Sequence, residues 1–261
     1  MEHLLNFVNT LELLNKIDKF KKLDLKETTM AEISNRSLET LNCMLVSSCN
    51  FASETFLFRI RKLENEFRNR PEFFQDIWHP KAEWVTKMGR ANLEGEPILY
   101  CSTDQVTPLY ECGIVPGDCY AIIQYKVKPG KELIGYCVGS DGEVDGLNQT
   151  GLINHKIITD FIVSEFTKPV GIGTEYLYKV SNVICRNFLD MPFCDAYVYP
   201  SVANYKRGWN VAIKPQSALE KIEFDCVLLC EFKEYAENKD CLFEIKHKAN
   251  AIVDGRLKYV F

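Results

Sequence analysis

The chain has 261 residues, 46% of them hydrophobic and 26% charged, with a formal net charge of −5. That length buries a full core without disulfides or a structural metal, and it suits one large domain with or without an appendage. The acidic balance excludes a dedicated nucleic-acid binder, which needs a basic surface, but leaves room for one small anionic ligand held by one or two arginines.

The first residues, MEHLLNFVNTLELLNKIDKF, open with an acid, lack a basic n-region and interrupt their apolar side chains with Asn, Thr and Glu. They do not read as a signal peptide. Leu4, Val8, Leu11 and Leu14 or Ile17 fall at helical spacing and predict an amphipathic helix from residue 3 to about 20. A charged connector, Lys16 to Lys26, leads to a second helix expected from about Ser37 to Ser48. Residues 1–50 therefore read as a helical extension packed on a main domain of residues 51–261.

Phe56 to Arg61 predicts a strand ending in basic residues, followed by a loop rich in Pro and aromatics, Pro71 to Trp84. A short strand over Pro97 to Ser102 and a helix from Thr103 to about Ile114 come next. Thr103 is the expected N-cap, and Pro108 is expected to kink that helix or make it partly 3₁₀. Cys119 to Lys128 and Glu132 to Gly139 are two apolar runs around Lys-Pro-Gly-Lys, which predicts a hairpin. A flexible loop is expected over residues 140–151, then helices over Leu152 to Thr167 and Glu175 to Phe188, with Gly171-Ile172-Gly173 as the turn between them. Strands follow near Ala196 to Tyr199, Trp209 to Lys214, Ile222 to Phe232 and Cys241 to His247. This mixed order predicts an α+β (mixed α/β) fold rather than a doubly wound parallel sheet.

No run approaches the roughly 18 apolar residues of a membrane span. Eleven cysteines are present with no C-x-x-C pair, so zinc ribbons and thioredoxin-type sites have no support. Cys101, Cys137, Cys226 and Cys230 lie among apolar residues, where a free thiol acts as a small hydrophobe. A reduced, cytoplasmic protein with no metal is the expectation.

The chain has no P-loop, dinucleotide fingerprint, H-E-x-x-H or G-x-S-x-G. It does place polar residues at the ends of predicted strands: Arg59, Arg90 with Asn92, Tyr100, Glu111, Tyr199-Pro200-Ser201 and Asn210. In LFRIR (57–61), GRANLEGEPILYCSTDQVTPLYE (89–111) and YPS with GWNVAIKP (199–201, 208–215), the chain resembles the RES-domain family. That family is named after an arginine, a glutamate and a serine, and many members are toxins of toxin–antitoxin pairs. The resemblance covers about Phe51 to Pro215 and leaves residues 1–50 unexplained.

The resemblance implies an ADP-ribosyltransferase-like core of mixed, largely antiparallel sheets with flanking helices, acting on NAD. Arg59, Glu111 and Ser201 match the family's name-giving residues, Arg90 the arginine of its G-R-x-N segment, and Tyr100 the tyrosine that closes the next strand. Two departures are Ala91, where many members carry Trp, and Pro108, where a small helix former is common. The implied activity is cleavage of the nicotinamide–ribose bond by water or inorganic phosphate. Transfer of ADP-ribose to a protein is the first alternative, and a non-enzymatic partner-binding module the second. An antitoxin and a homodimer are implied as partners, while the acidic charge and the lack of a long apolar run predict no nucleic acid and no membrane.

The chemistry asks for the same residue types. An oxocarbenium-like state at the ribose is stabilised by a neighbouring carboxylate, here Glu111. A pyrophosphate fits the guanidinium of Arg59 or Arg90, an aromatic ring such as Tyr100 suits nicotinamide, and Ser201 and Asn210 offer polar atoms. Each residue also has an ordinary structural role open to it. One of Arg59 and Arg61 can be a surface cation, Tyr100 a core residue, Ser201 a turn residue and Asn210 a strand residue bonded to a loop.

Overall fold

The computed structural model of the chain describes residues 3–139, 144–204, 207–236 and 241–260. Residues 140–143 of the expected loop lie outside them. The N-terminal helix starts later than the apolar spacing predicts. A 3₁₀ turn at Leu4–Asn6 comes first, and α1 spans Thr10–Lys21 because Asn9 caps it, accepting from the Leu11 and Glu12 amides. Helix α2 spans Met30–Leu41 rather than the expected Ser37–Ser48. The reason is a capping box: Thr29 Oγ1 accepts from the Glu32 amide while the Glu32 carboxylate accepts from the Thr29 amide.

Buried Leu13, Ile17 and Phe20 of α1 and Ile33 and Leu41 of α2 share one core with α5 (Gln149–Phe166) and α6 (Tyr178–Ile184). A π-helical turn, Cys185–Leu189, extends α6. Polar anchors fix the same segment. Buried Asn154 donates to the carbonyls of Leu5 and Val8, and Lys179 Nζ donates to those of Leu25, Lys26 and Thr28. The boundary drawn at residue 50 runs through β1, Ser47–Phe51, a strand of the main sheet.

The fold is a mixed helix-and-sheet architecture, α+β as the element order predicts. Besides β1, its strands are β2 (Phe56–Lys62), β3 (Leu99–Ser102), β4 (Cys119–Val127), β5 (Leu133–Cys137) and β6 (Ala196–Pro200). The remainder are β7 (Trp209–Ile213), β8 (Ile222–Tyr235), β9 (Cys241–Val253) and β10 (Arg256–Val260). Their order is β1-β5-β6-β7-β3-β2-β4-β8-β9-β10. β5 and β6 are parallel and the other neighbours antiparallel. Strand β10 and helices α3 (Phe74–Ile77) and α7 (Pro215–Lys221) have no counterpart in the sequence reading.

The hairpin expected around Lys-Pro-Gly-Lys is a turn without a hairpin. Lys131 N donates to Lys128 O at 3.0 Å and Gly130 has φ +71°, but β4 and β5 do not pair. β4 is buried along most of its length between β2 and β8, so the chain crosses to the other half of the sheet, where β5 lies between β1 and β6.

The two halves of the sheet meet at the β2–β3 junction, where Phe58 pairs with Ser102. Leu99, Val198, Val211 and Ile213 of one half and Leu57, Ile123, Tyr125 and Val227 of the other share a single core. By register these residues lie on one face of the continuous sheet. The other face of the first half carries Tyr100, Tyr197, Tyr199 and Ala212 beneath α5 and α6. Helix α4 (Thr107–Glu111) covers the outer face of the second half, with Leu109 against Ile60 and Ile122. Among the described residues no helix is long and apolar enough to cross a membrane.

Candidate functional site

The helix expected over Thr103 to Ile114 is only the short α4. Asp104, not Thr103, organises its start, accepting from the Val106 and Thr107 amides at 2.9 and 2.7 Å. Pro108 lies in the first turn, where its missing N–H has no helical partner to lose, so it neither kinks α4 nor interrupts it. The helix then presents Glu111 at its C-terminal end.

Glu111 meets two of the other sequence-predicted residues directly. Ser201 Oγ donates to Glu111 Oε1 at 2.5 Å, and Asn210 Nδ2 donates to the same oxygen at 3.0 Å. Ser201 is completely buried, whereas Glu111 is exposed. Ser102, paired with Asn210 across β3 and β7, donates through Oγ to Asn210 Oδ1 at 3.1 Å and fixes which end of the amide faces Glu111. Ser201 Oγ in turn accepts from the Asn204 amide at 3.1 Å. Asn204 Nδ2 donates to Thr107 Oγ1, and that hydroxyl donates to Asp104 Oδ2. Gly208 belongs to the same network: its carbonyl accepts from Ser201 N, and a Cβ there would stand 1.7 Å from Thr107 Oγ1.

Tyr100 lies on the same face of β3 as Ser102, two residues and therefore about 6.6 Å along the strand. Its hydroxyl donates to Asn92 Oδ1 at 2.7 Å and accepts from Ala91 N at 3.1 Å. Burial raises that hydroxyl's pKa above the usual tyrosine range, so it stays a neutral bridge to the 89–92 loop. Only the ring is left for a ligand. Asn182 and Ser181 of α6 hold the other side of the loop through the carbonyls of Gly89 and Arg90.

Arg90 stacks its guanidinium 5.0 Å above the Tyr178 ring and donates through Nη2 to Lys168 O at 3.2 Å. Its Nη1 is buried and has no hydrogen-bond partner among the described residues. Tyr199, buried beside Phe166, lies within electrostatic reach of Tyr100, Arg90 and Glu111. Its hydroxyl is driven well above the usual range, first by burial and then by Tyr100. Tyr199 thus stands between the Arg90–Tyr100 end of the site and the Glu111 end.

Arg59 is placed differently from the other five. Arg59 and Arg61 are two residues apart on β2 and so share the face that carries Leu57, away from the Tyr100 face. Arg59 Nη1 donates to Trp78 O at 2.6 Å, and buried Cys101 and Tyr125 lie within reach of its charge. Because the strands separate beyond Phe58 and Ser102, Arg59 and Tyr100 both line a cavity of about 310 Å³ with Trp84, Gly89, Asn92 and Ile98. The candidate residues therefore fall into two groups, Arg59 and Tyr100 by this cavity and Glu111, Ser201 and Asn210 at the end of α4.

Ser102, Asp104, Thr107 and Asn204 complete the network, and none of them is a candidate functional residue from the sequence. Asp104-x-x-Thr107 carried the one available signal, an Asx-type helix start just ahead of Glu111. Among the described residues no group of three or more His, Cys, Asp or Glu side chains is arranged to hold a metal ion. No protein-family model matches the chain, and no curated protein matches it.

Proposed function

We propose that the chain is an NAD-consuming enzyme with an ADP-ribosyltransferase-like core that cleaves the nicotinamide–ribose bond. The observation that carries this reading is the convergence on one carboxylate oxygen. Glu111 comes from the 89–111 segment, and Ser201 and Asn210 from the 199–215 segment, and both donate to Glu111 Oε1. An ordinary surface glutamate gains nothing from a helix C-terminus, where the dipole opposes its charge. A carboxylate waiting for a developing cation does.

In this reading Arg90, with its unpartnered buried Nη1, binds the pyrophosphate through charge-assisted hydrogen bonds. The Tyr100 ring supports the nicotinamide and Glu111 faces the ribose. The C1–N bond of the nicotinamide ribose breaks with its electron pair leaving on neutral nicotinamide. Glu111 stabilises the oxocarbenium-like state and orients the incoming water or phosphate oxygen, which forms the new C1–O bond and releases its proton. The products are nicotinamide and either ADP-ribose or its 1-phosphate. Arg59, tied to Trp78 O, shapes the cavity wall and supplies positive potential rather than direct contact with the reacting carbon.

Loss of NAD makes the free protein growth-inhibitory, which fits an antitoxin partner. The test is incubation of the purified chain with NAD, with and without inorganic phosphate, following nicotinamide and the ADP-ribose product. Release of nicotinamide that is lost in Glu111→Gln supports the proposal, and intact NAD in both mixtures overturns it. Label from NAD appearing on a macromolecule assigns ADP-ribosyl transfer instead.

A further inference from the structure

We propose that Cys49 and Cys137 form a reversible thiol–disulfide site whose oxidant is a low-molecular-weight disulfide. Cys49 on β1 pairs with Gly135 of β5, and Cys137 lies two residues further along β5, diagonal to it. Because residue 135 has no side chain, Cys49 leans into the space beside it: a Cβ there would stand 3.0 Å from Cys49 Sγ and 2.6 Å from Val198 Cγ2. The lean brings Cys49 Sγ to 3.0 Å from Cys137 Sγ, with the Cys137 thiol donating. A bond of ordinary length asks for about 1 Å of further closure.

The pair is also reachable. Both cysteines are partly exposed, and both pack against the apolar core as expected for Cys137. They line a cavity of about 440 Å³ with Phe51, Thr103, Val198 and Trp209. Six of the nine other cysteines are buried, and burial raises the thiols of Cys101, Cys185, Cys194, Cys226 and Cys230. Cys49 differs. The hydrogen bond from Cys137 lowers its pKa despite partial burial, and the same bond, followed by burial, raises that of Cys137. Cys49 is the attacking thiolate and Cys137 the resolving thiol.

The steps balance with glutathione disulfide. Cys49 thiolate attacks one glutathione sulfur, giving a Cys49–glutathione mixed disulfide and one glutathione thiolate, which takes up a proton. Cys137 then loses its proton and attacks Cys49 Sγ, forming the bridge and releasing the second glutathione. The protein loses two protons and two electrons, and two reduced glutathiones form. The bridge joins residues 88 apart in sequence and ties the edge strand β1, to which α1 and α2 lead, to β5.

The experiment equilibrates the full chain in mixtures of reduced and oxidised glutathione, quenches with acid, alkylates the remaining thiols and maps the peptides by mass. The Cys49–Cys137 bridge is expected to form ahead of any other pair. In Cys137→Ser the glutathione adduct accumulates on Cys49 in place of the bridge. At early times before equilibrium, Cys49→Ser forms the adduct on Cys137 at least about tenfold more slowly than Cys137→Ser forms it on Cys49, as expected for loss of the activated thiolate. Oxidation raises the unfolding midpoint of the wild type by up to roughly 10 °C and leaves both serine variants unchanged. A wild-type chain whose Cys49 and Cys137 stay unbridged in the oxidised mixture, or a Cys137 that reacts in Cys49→Ser as fast as Cys49 does in Cys137→Ser, overturns the proposal.

Discussion

Ser201 Oγ donates to Glu111 Oε1 at 2.5 Å, linking residues 90 apart in sequence. The bond joins the chain just after β6 to the last residue of α4, so it holds a helix end against the sheet junction. The charge at that helix end is disfavoured by the dipole, and the donors Ser201 and Asn210 offset the penalty. Glu111→Gln keeps an oxygen to accept from both donors and removes the charge. It is expected to leave the unfolding midpoint nearly unchanged and to lower nicotinamide release by at least about 100-fold. Ser201→Ala removes one donor to Glu111 and the acceptor of the Asn204 amide. It is expected to cost about 1–2 kcal/mol of stability and a smaller part of the activity. Steady-state nicotinamide release beside thermal melts separates the two effects.

Arg90 gives a prediction in which structure and function pull apart. A buried guanidinium nitrogen with no partner among the described residues contributes little to the unliganded fold. Arg90→Met keeps an apolar stem but removes the charge, its stacking on Tyr178 and the Nη2 bond to Lys168 O. Without ligand the variant is expected to melt near the wild-type midpoint, relief of the unpartnered Nη1 offsetting the lost contacts. NAD binding, measured by calorimetry, is expected to weaken by about 1.5–3 kcal/mol, the range for a lost charge-assisted hydrogen bond. A variant that unfolds early and binds NAD normally would show that Arg90 only supports the loop.

Much of the architecture is legible in the sequence because strands and helices announce themselves through period. The strand at Phe56 to Lys62 and those beginning at Ala196, Trp209 and Ile222 all lie where the apolar runs predict them. What the local signal omits is partnership. Lys-Pro-Gly-Lys makes the turn it encodes, but whether flanking strands pair depends on which other edges are filled, and β2 and β8 fill those of β4. At the site, the motif order brings Glu111, Ser201 and Asn210 together, while Arg59 shows the limit. A motif match carries no face, and strand parity at the Phe58–Ser102 junction turns Arg59 toward Trp78. The capping box at Thr29 and Glu32 is a signal in the sequence itself, and it sets α2 at Met30–Leu41 rather than the expected Ser37–Ser48.

Pro108 was expected to disturb the helix that carries Glu111, and its place in the first turn of α4 reverses that expectation. A proline there limits the unfolded chain without straining the folded one. Pro108→Ala is expected to destabilise the protein by about 0.4–1 kcal/mol in urea denaturation and to leave nicotinamide release unaltered. A gain in stability would mean that the ring strains α4 after all.

The turn into β4 carries a pH-dependent contact. Asp118 Oδ2 accepts from Lys62 Nζ at 2.6 Å and from Val115 N at 2.9 Å. Burial pushes this carboxyl up, but the Lys62 and Val115 hydrogen bonds outweigh it and leave the folded-state pKa below the ordinary aspartate value. A depressed folded value contributes stability above the unfolded value of about 3.9, and the contribution is lost as pH falls through the folded value. Asp118→Asn is therefore expected to cost about 0.5–1 kcal/mol near neutrality, since Lys62 is largely in water, and nothing in strong acid. Urea titrations of both proteins at a series of pH values measure the converging difference.

Gly208 tests whether the network behind Ser201 acts as one unit. Its ideal Cβ would stand 1.7 Å from Thr107 Oγ1, 2.9 Å from Thr107 Cβ and 3.0 Å from Asp104 Oδ2, and Thr107 is fully buried with little freedom to withdraw. Gly208→Ala is expected to cost about 1–3 kcal/mol through overpacking, and it also shifts the carbonyl that accepts from Ser201 N. Thr107→Ala removes the closest contact at the cost of the hydroxyl bonded to Asp104 and Asn204. If the clash and the hydroxyl network are the cause, the double variant loses less stability than the two single variants added together, with a coupling of about 0.5–3 kcal/mol. Strict additivity in the denaturation cycle would remove Gly208 from the machinery that positions Glu111.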